Sequence, residues 1–233
     1  MTDLRELRAV STERGIALIF DEVFRGFRLG PGGAQASLGV QADLITDGKT
    51  LGGGLPVGVM CGRRAWMKRF REDRPADICF ARGTFNAHPC VMGAMQVFLG
   101  RLRSAPVRAM YAGLDGVWDG RAAQLNQQLH DAGVPVRASH LSSVGTVGYT
   151  LPSRYDRMLQ FHLRRQGLAL SWVGTGRLIV SLNFSQADPN AVCERFVAAA
   201  RAMQADGWWW PGPALSNKSI RRGLLRALLS AQR

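Results

Sequence analysis

The chain has 233 residues, 46% hydrophobic and 20% charged, with a formal net charge of +13. That is the composition of an ordinary globular protein, long enough to bury a sizeable core in one large domain or in a domain with a smaller partner. No apolar run reaches the roughly 18 residues of a membrane span, and the opening MTDLRELRAV mixes acids and bases unlike a signal peptide. The positive charge is almost all scattered arginine with no nucleic-acid motif beside it. We therefore expect a cytoplasmic protein with no membrane span and no nucleic-acid partner. Cys61, Cys79, Cys90 and Cys193 lie far apart, with no C-x-x-C and no histidine at ligand spacing, so neither a metal site nor a disulfide framework is expected. Reduced core thiols are the simplest reading.

Taken in chain order, Leu4, Leu7 and Val10 recur at helical spacing and Gly15 suits the stop. The continuous apolar run 16–20 then has the character of a buried parallel strand. A Gly/Pro loop at 29–33 precedes a second short strand over 42–46. After Gly83-Thr84-Phe85-Asn86, Pro89 opens a helix whose apolar face is Val91, Met95, Phe98 and Leu102. Beyond about residue 111, helical patterns at 115–131, 154–166 and 189–206 alternate with extended patterns at 143–150 and 177–182. The alternation predicts an α/β protein, with a first domain over 1–110, a smaller α+β domain over 111–210 and a basic tail over 211–233. In the tail, Ile220, Leu224, Leu225, Leu228 and Leu229 share one helical face, while Arg221, Arg222 and Arg226 lie largely elsewhere. Three uses of that amphipathic helix stay open: packing on its own domain, docking to a partner such as a carrier or synthetase module, or lying on an anionic membrane.

Polar groups just past the carboxyl ends of parallel strands gather along one sheet edge, where ligands bind. Asp21 follows the first strand and Lys49 the second, so an acid and a lysine are expected to face one crevice. Lys49, one of only three lysines, stands before Gly52-Gly53-Gly54.

These residues belong to a longer pattern. LIFDEVFRGFRLGPGGAQASLGVQADLITDGKTLGGGLPVGVMCGRR, continued by FARGTFNAHPCVMGAM, resembles the cofactor-binding region of class III (fold type I) pyridoxal-phosphate aminotransferases. Within that class it is most similar to the glutamate-1-semialdehyde aminomutase-like branch and to aminotransferase domains embedded in hybrid polyketide and nonribosomal peptide synthetases. The likeness runs from about residue 3 to about residue 210. Its linked D-E-V, G-A-Q, G-K-x-x-G-G-G-x-P and G-T-F elements are specific in combination.

The resemblance implies a partial fold type I large domain over 1–110 with a small C-terminal α+β domain over 111–210. It implies pyridoxal 5'-phosphate as cofactor, an electron sink held through its aldehyde by a lysine. Lys49 is then the imine lysine and the base that moves the substrate proton, a role arginine cannot take because it stays protonated. Asp21 matches the aspartate that pairs with the pyridinium nitrogen, and Val23 the apolar residue against one ring face. Thr84 matches the threonine that reaches a partner subunit's cofactor phosphate, which implies a homodimer. For Glu22 a structural hydrogen-bonding role and a catalytic one are equally open. His88 is read as a helix-entry residue.

The implied activity is transamination between an amino donor and a keto or aldehyde acceptor, or aminomutase chemistry, on a free substrate or on an acyl chain carried by an acyl carrier protein. The family's phosphate-binding turn, stacking aromatic residue and substrate-gating segment are not found. We therefore expect an N-terminally truncated form whose sheet lacks strands and exposes an edge. The alternative is a catalytically inactive homologue acting as an interaction protein.

Overall fold

The computed structural model describes residues 2–69, 71–78, 83–170, 176–185, 187–209 and 215–230. The chain divides into two compact units, Met1–Gly113 and Leu114–Arg233.

The first unit runs α1 (Thr2–Glu13), β1 (Ile19–Asp21), α2 (Gly26–Leu29), α3 (Gly33–Leu38) and β2 (Leu44–Gly48). A 3-10 turn (Lys49–Gly52), β3 (Gly58–Gly62), α4 (Arg64–Met67), α5 (Pro89–Leu102) and α6 (Ala105–Tyr111) follow. The sheet order is β1-β2-β3. β1 pairs parallel with β2, setting Asp21 opposite Thr46, and β3 returns antiparallel so that Gly48 meets Gly58. Beyond β1 no further strand pairs among the described residues, and Ile16 and Ile19 are exposed.

The structure departs from the sequence reading in two places. The face of α1 turned inward is Leu4, Arg8 and Ser11, while Leu7 and Val10 are exposed. The helix is oriented by charge: the Arg8 guanidinium meets buried Asp43 at 2.6 Å, and Arg63 approaches the same carboxylate at 3.4 Å. Asp43 also accepts the Leu18 backbone N–H at 2.9 Å, and that bond first, then Arg8, holds its carboxyl below the usual range. Among the cysteines, Cys61 on β3 and Cys90 on α5 are exposed free thiols, so only Cys193 is a core thiol among those described; Cys79 lies outside the described residues.

α5 follows the expected face: Val91, Met95 and Phe98 are half-buried and Leu102 is buried. Phe98 packs edge-on against Phe27 at 5.1 Å, and the Tyr111 hydroxyl donates to the Phe27 carbonyl, which ties α5 and α6 to α2.

The second unit contains α7 (Leu114–Asp131), β4 (Val136–Leu141), β5 (Val144–Tyr149), α8 (Met158–Arg165), β6 (Arg177–Ile179), α9 (Ala187–Ala205) and α10 (Asn217–Ser230). Its antiparallel sheet has the order β4-β5-β6. The helices bury one contiguous core against it, centred on Leu129, Leu163, Phe196 and Met203, each at most 1% exposed. The Asn126 amide clamps α7 to edge strand β4, donating to the Ala138 carbonyl at 2.9 Å and accepting its N–H at 2.8 Å. On α10 the leucine face is uncovered: Leu224, Leu225, Leu228 and Leu229 are all more than half exposed. Ile220 and Leu224 border a cavity shared with Ser153, Arg154, Asp156 and Arg157, so the helix lies against its own unit while most of its leucine face stays uncovered. Pro211 and Pro213 lie outside the described residues.

Candidate active site

The carboxyl edge of the parallel pair β1-β2 carries the candidate groups. Asp21 ends β1, and its Oδ1 accepts the Val23 backbone N–H at 3.1 Å and the Thr46 hydroxyl at 3.4 Å. Those two bonds fix the carboxylate at the strand end, while Oδ2 accepts nothing among the described residues. Lys49 follows β2 directly and is exposed. Its backbone has φ 45°, in the left-handed region that a residue with a Cβ seldom enters, and such strain concentrates at functional positions. The Lys49 ammonium stands 5.8 Å from the centroid of the Phe24 ring, which the Arg28 guanidinium also faces at 5.7 Å.

The glycines next to Lys49 are required by close approach. A Cβ on Gly48 would lie 2.7 Å from the Val57 carbonyl oxygen and one on Gly52 would lie 2.9 Å from Val57 Cγ1. The same Gly48 position is 3.6 Å from Val23 Cγ1, which places Val23 between the two strand ends. Asp21 and Lys49 thus stand at the adjacent ends of one parallel pairing, with Val23 next to Gly48. Thr84 sits on the turn after Gly83, exposed, and no hydrogen bond among the described residues joins it to them. His88 is the residue before α5 and makes no side-chain cap there.

Geometry answers the question left open at Glu22. Its side chain is 3% exposed and accepts the backbone N–H groups of Ala34 at 2.5 Å and Gln35 at 3.2 Å, so it caps the start of α3. Gly33 makes this possible, because a Cβ there would stand 2.2 Å from Glu22 Oε2, and its φ is +64°. The Gly/Pro loop at 29–33 is therefore the fitting that lets a buried carboxylate hold a helix end.

Asp47 was not singled out from the sequence. Its carboxylate lies against Gly26, and burial pushes its pKa up, countered by the Gly48 N–H that it accepts at 2.7 Å and reinforced by the charge of Glu22. A carboxylate inside the strand that leads into Lys49 is out of pattern, and that was the available signal.

Pyridoxal phosphate asks for an amine to hold its aldehyde, a carboxylate beside its ring nitrogen and an apolar contact for the ring. An exposed amine at Lys49, a pinned carboxylate with one open oxygen at Asp21, and half-buried Val23 beside them fit those demands.

Comparison with known proteins bears on the same stretch. The family model Aminotransferase class-III matches residues 2–200. A glutamate-1-semialdehyde 2,1-aminomutase of Nitratidesulfovibrio vulgaris is 40% identical over 147 residues, 63% of this chain and 33% of that protein. An omega-transaminase from Sphaerobacter thermophilus superposes with a TM-score of 0.74 at 27% identity, covering 86% of this chain and 48% of its own. A structure described as a transaminase with PLP bound gives a TM-score of 0.73 at 25% identity, over 88% of this chain and 48% of that one. The chain thus spans about a third of the curated relative and about half of each solved structure. No described helix is long and apolar enough to cross a membrane.

Proposed function

The chain belongs to the class III aminotransferases, a fold type I family whose cofactor is pyridoxal phosphate, and from that premise we propose that its β1-β2 edge supplies the catalytic half-site for amino-group transfer. The reaction is transfer between an amino donor and a keto or aldehyde acceptor, or the related aminomutase exchange, on a free substrate or on an acyl chain held by a carrier protein. One observation carries the reading: the Lys49 amine and the Asp21 carboxylate emerge from adjacent parallel strand ends, with the lysine backbone held at φ 45°.

When bound, pyridoxal phosphate supplies a carbonyl for covalent attachment of amines and a ring that accepts electrons. Asp21 holds a proton on the ring nitrogen, its carboxylate oriented by the Val23 N–H and the Thr46 hydroxyl. Val23 gives the ring an apolar contact. With pyridoxal phosphate bound, Lys49 would be the amine that holds its aldehyde, and its free amine would act as the base that moves the substrate Cα proton. Thr84 donates its hydroxyl to a phosphate in a partner subunit, within a homodimer. Because the chain spans about half of the solved transaminases, the half-site works together with the remainder of the fold.

The test is amino transfer measured for this chain alone and with the remaining half of a relative supplied. Activity that appears on complementation and vanishes in Lys49→Ala supports the reading. Full turnover by the isolated chain, or by Lys49→Ala, contradicts it.

A second reading, a non-catalytic interaction protein, is favoured by the uncovered leucine face of α10. Visible absorbance on adding pyridoxal phosphate separates the two: a Lys49-dependent yellow colour belongs to the enzyme, and a colourless chain that binds a partner belongs to the second reading.

A further inference from the structure

A cavity of about 220 Å³ lies within the second unit, between α7, α9 and the sheet, away from Asp21 and Lys49 in sequence and in unit. Its wall is mostly apolar, with Leu125, Leu170, Leu178 and Val192 among the lining residues. Cys193 also lines it, its thiol pushed up by burial and then by the Glu194 charge. For scale, an engineered apolar cavity of about 150 Å³ stays dry and takes benzene. This one has room for a slightly larger molecule.

The polar groups on the wall are all donors or able to donate. Trp118 Nε1 and Ser142 Oγ are buried with no hydrogen-bond partner among the described residues. Ser142 is 5% exposed, and its backbone at φ 50° is fixed by the β4-β5 hairpin. Arg121, also on the wall, stacks its guanidinium over the Trp118 ring at 4.6 Å. No Asp or Glu is among the lining residues; of the acids nearby, Asp119 is 74% exposed and already engages His140 Nε2 at 3.2 Å, and Glu194 follows Cys193 in the chain. A buried donor left unpaired is costly, and two bordering one cavity are satisfied together by an acceptor placed in it.

We propose that this cavity binds a small monocarboxylate with an apolar body, its carboxylate received by Trp118 Nε1–H, the Ser142 hydroxyl and the Arg121 guanidinium. A donor set that includes the Arg121 cation, with no acid among the lining residues, selects an anion over a neutral molecule or an amine. The apolar wall selects against a bare headgroup by offering nothing to acetate beyond the polar end.

The experiment is calorimetric titration of the full chain with phenylacetate, with phenylacetamide as the neutral isostere and acetate as the headgroup alone. Phenylacetate is expected to bind and to raise the melting temperature, and phenylacetamide and acetate to bind at least about tenfold more weakly. Trp118→Phe and Ser142→Ala each remove a donor while keeping the local shape, and each is expected to weaken phenylacetate about tenfold. Ala122→Phe fills the cavity and is expected to abolish binding without lowering the melting temperature; should that variant fail to fold, the two donor variants decide. No binding of phenylacetate at millimolar concentration overturns the proposal. So does equal binding of the amide, or unchanged binding in both donor variants.

Discussion

The two units are held together differently. In Leu114–Arg233 the work is done by contiguous apolar burial, with Leu129, Phe196, Ala199, Ala200 and Met203 completely inaccessible. In Met1–Gly113 the buried apolar residues are few, and none is below 4% exposed. Buried carboxylates take their place: Asp43 gathers Arg8, Arg63 and the Leu18 N–H, and Glu22 caps α3. The lesson concerns function. A layer organised by directional polar bonds fixes strand ends without covering them, which leaves Asp21 and Lys49 accessible at a defined spacing.

The contrast makes each unit sensitive to a different kind of change. The largest effect is expected in the second unit, where Phe196→Ala should cost about 3–5 kcal/mol through lost burial and a residual cavity. Five of the six tryptophans lie in that unit, so denaturant unfolding followed by tryptophan fluorescence reads it directly. In the first unit, Gly33→Ala should cost about 2–3 kcal/mol, since its Cβ would displace Glu22 and its φ disfavours a side chain. Glu22→Gln keeps the shape but weakens the cap, and should cost about 1–2 kcal/mol. Hydrogen exchange at the Ala34 and Gln35 amides localises both effects, and unchanged protection there would refute the cap.

The smallest effects are in pH, and they have opposite signs. The Asp43 carboxyl is held below its ordinary value of 3.8 by the Leu18 N–H and then by Arg8, so its contribution is present above pH 4 and lost as pH falls through the lowered pKa. Asp156 in the second unit is pushed up to about 6 by burial, and its Oδ1 has no partner among the described residues. The folded state therefore favours its protonated form, and that contribution is full below pH 3.8 and is lost as pH rises through about 6. Allowing for solvent screening, it amounts to about 1 kcal/mol. Urea titrations at pH 7, at pH 4 and at about pH 2.5 should show Asp156→Asn flattening the second unit's response between the first two and Asp43→Asn flattening the first unit's response between the last two.

What could be read beforehand follows from how local the signal is. The strand before Asp21 is a continuous apolar run, and the strand before Lys49 ends in a motif, so the carboxyl edge was legible from residue order alone. The role of Glu22 was not, because a carboxylate capping a helix 12 residues onward looks the same in sequence as one in a catalytic pair. The Arg8–Asp43 clasp joins residues 35 apart, and it turns α1 away from the face its leucines suggest. β4 escaped notice because its stretch, VRASHL, carries a charge and polar residues among its apolar ones, and it is held by pairing with β5 and by Asn126 on its other edge. In the tail, amphipathic spacing over 219–233 predicts the helix found at Asn217–Ser230, but what covers its leucines is a matter of tertiary contact.

The most direct measurement is where the cofactor attaches. The chain is incubated with pyridoxal phosphate, reduced with borohydride and digested, and the pyridoxyl group is located by mass spectrometry. Modification at Lys49, strongly reduced in Asp21→Asn and absent in Lys49→Ala, is the expected result. A label confined to Lys68 or Lys218, or a Lys49 label indifferent to Asp21, would contradict it.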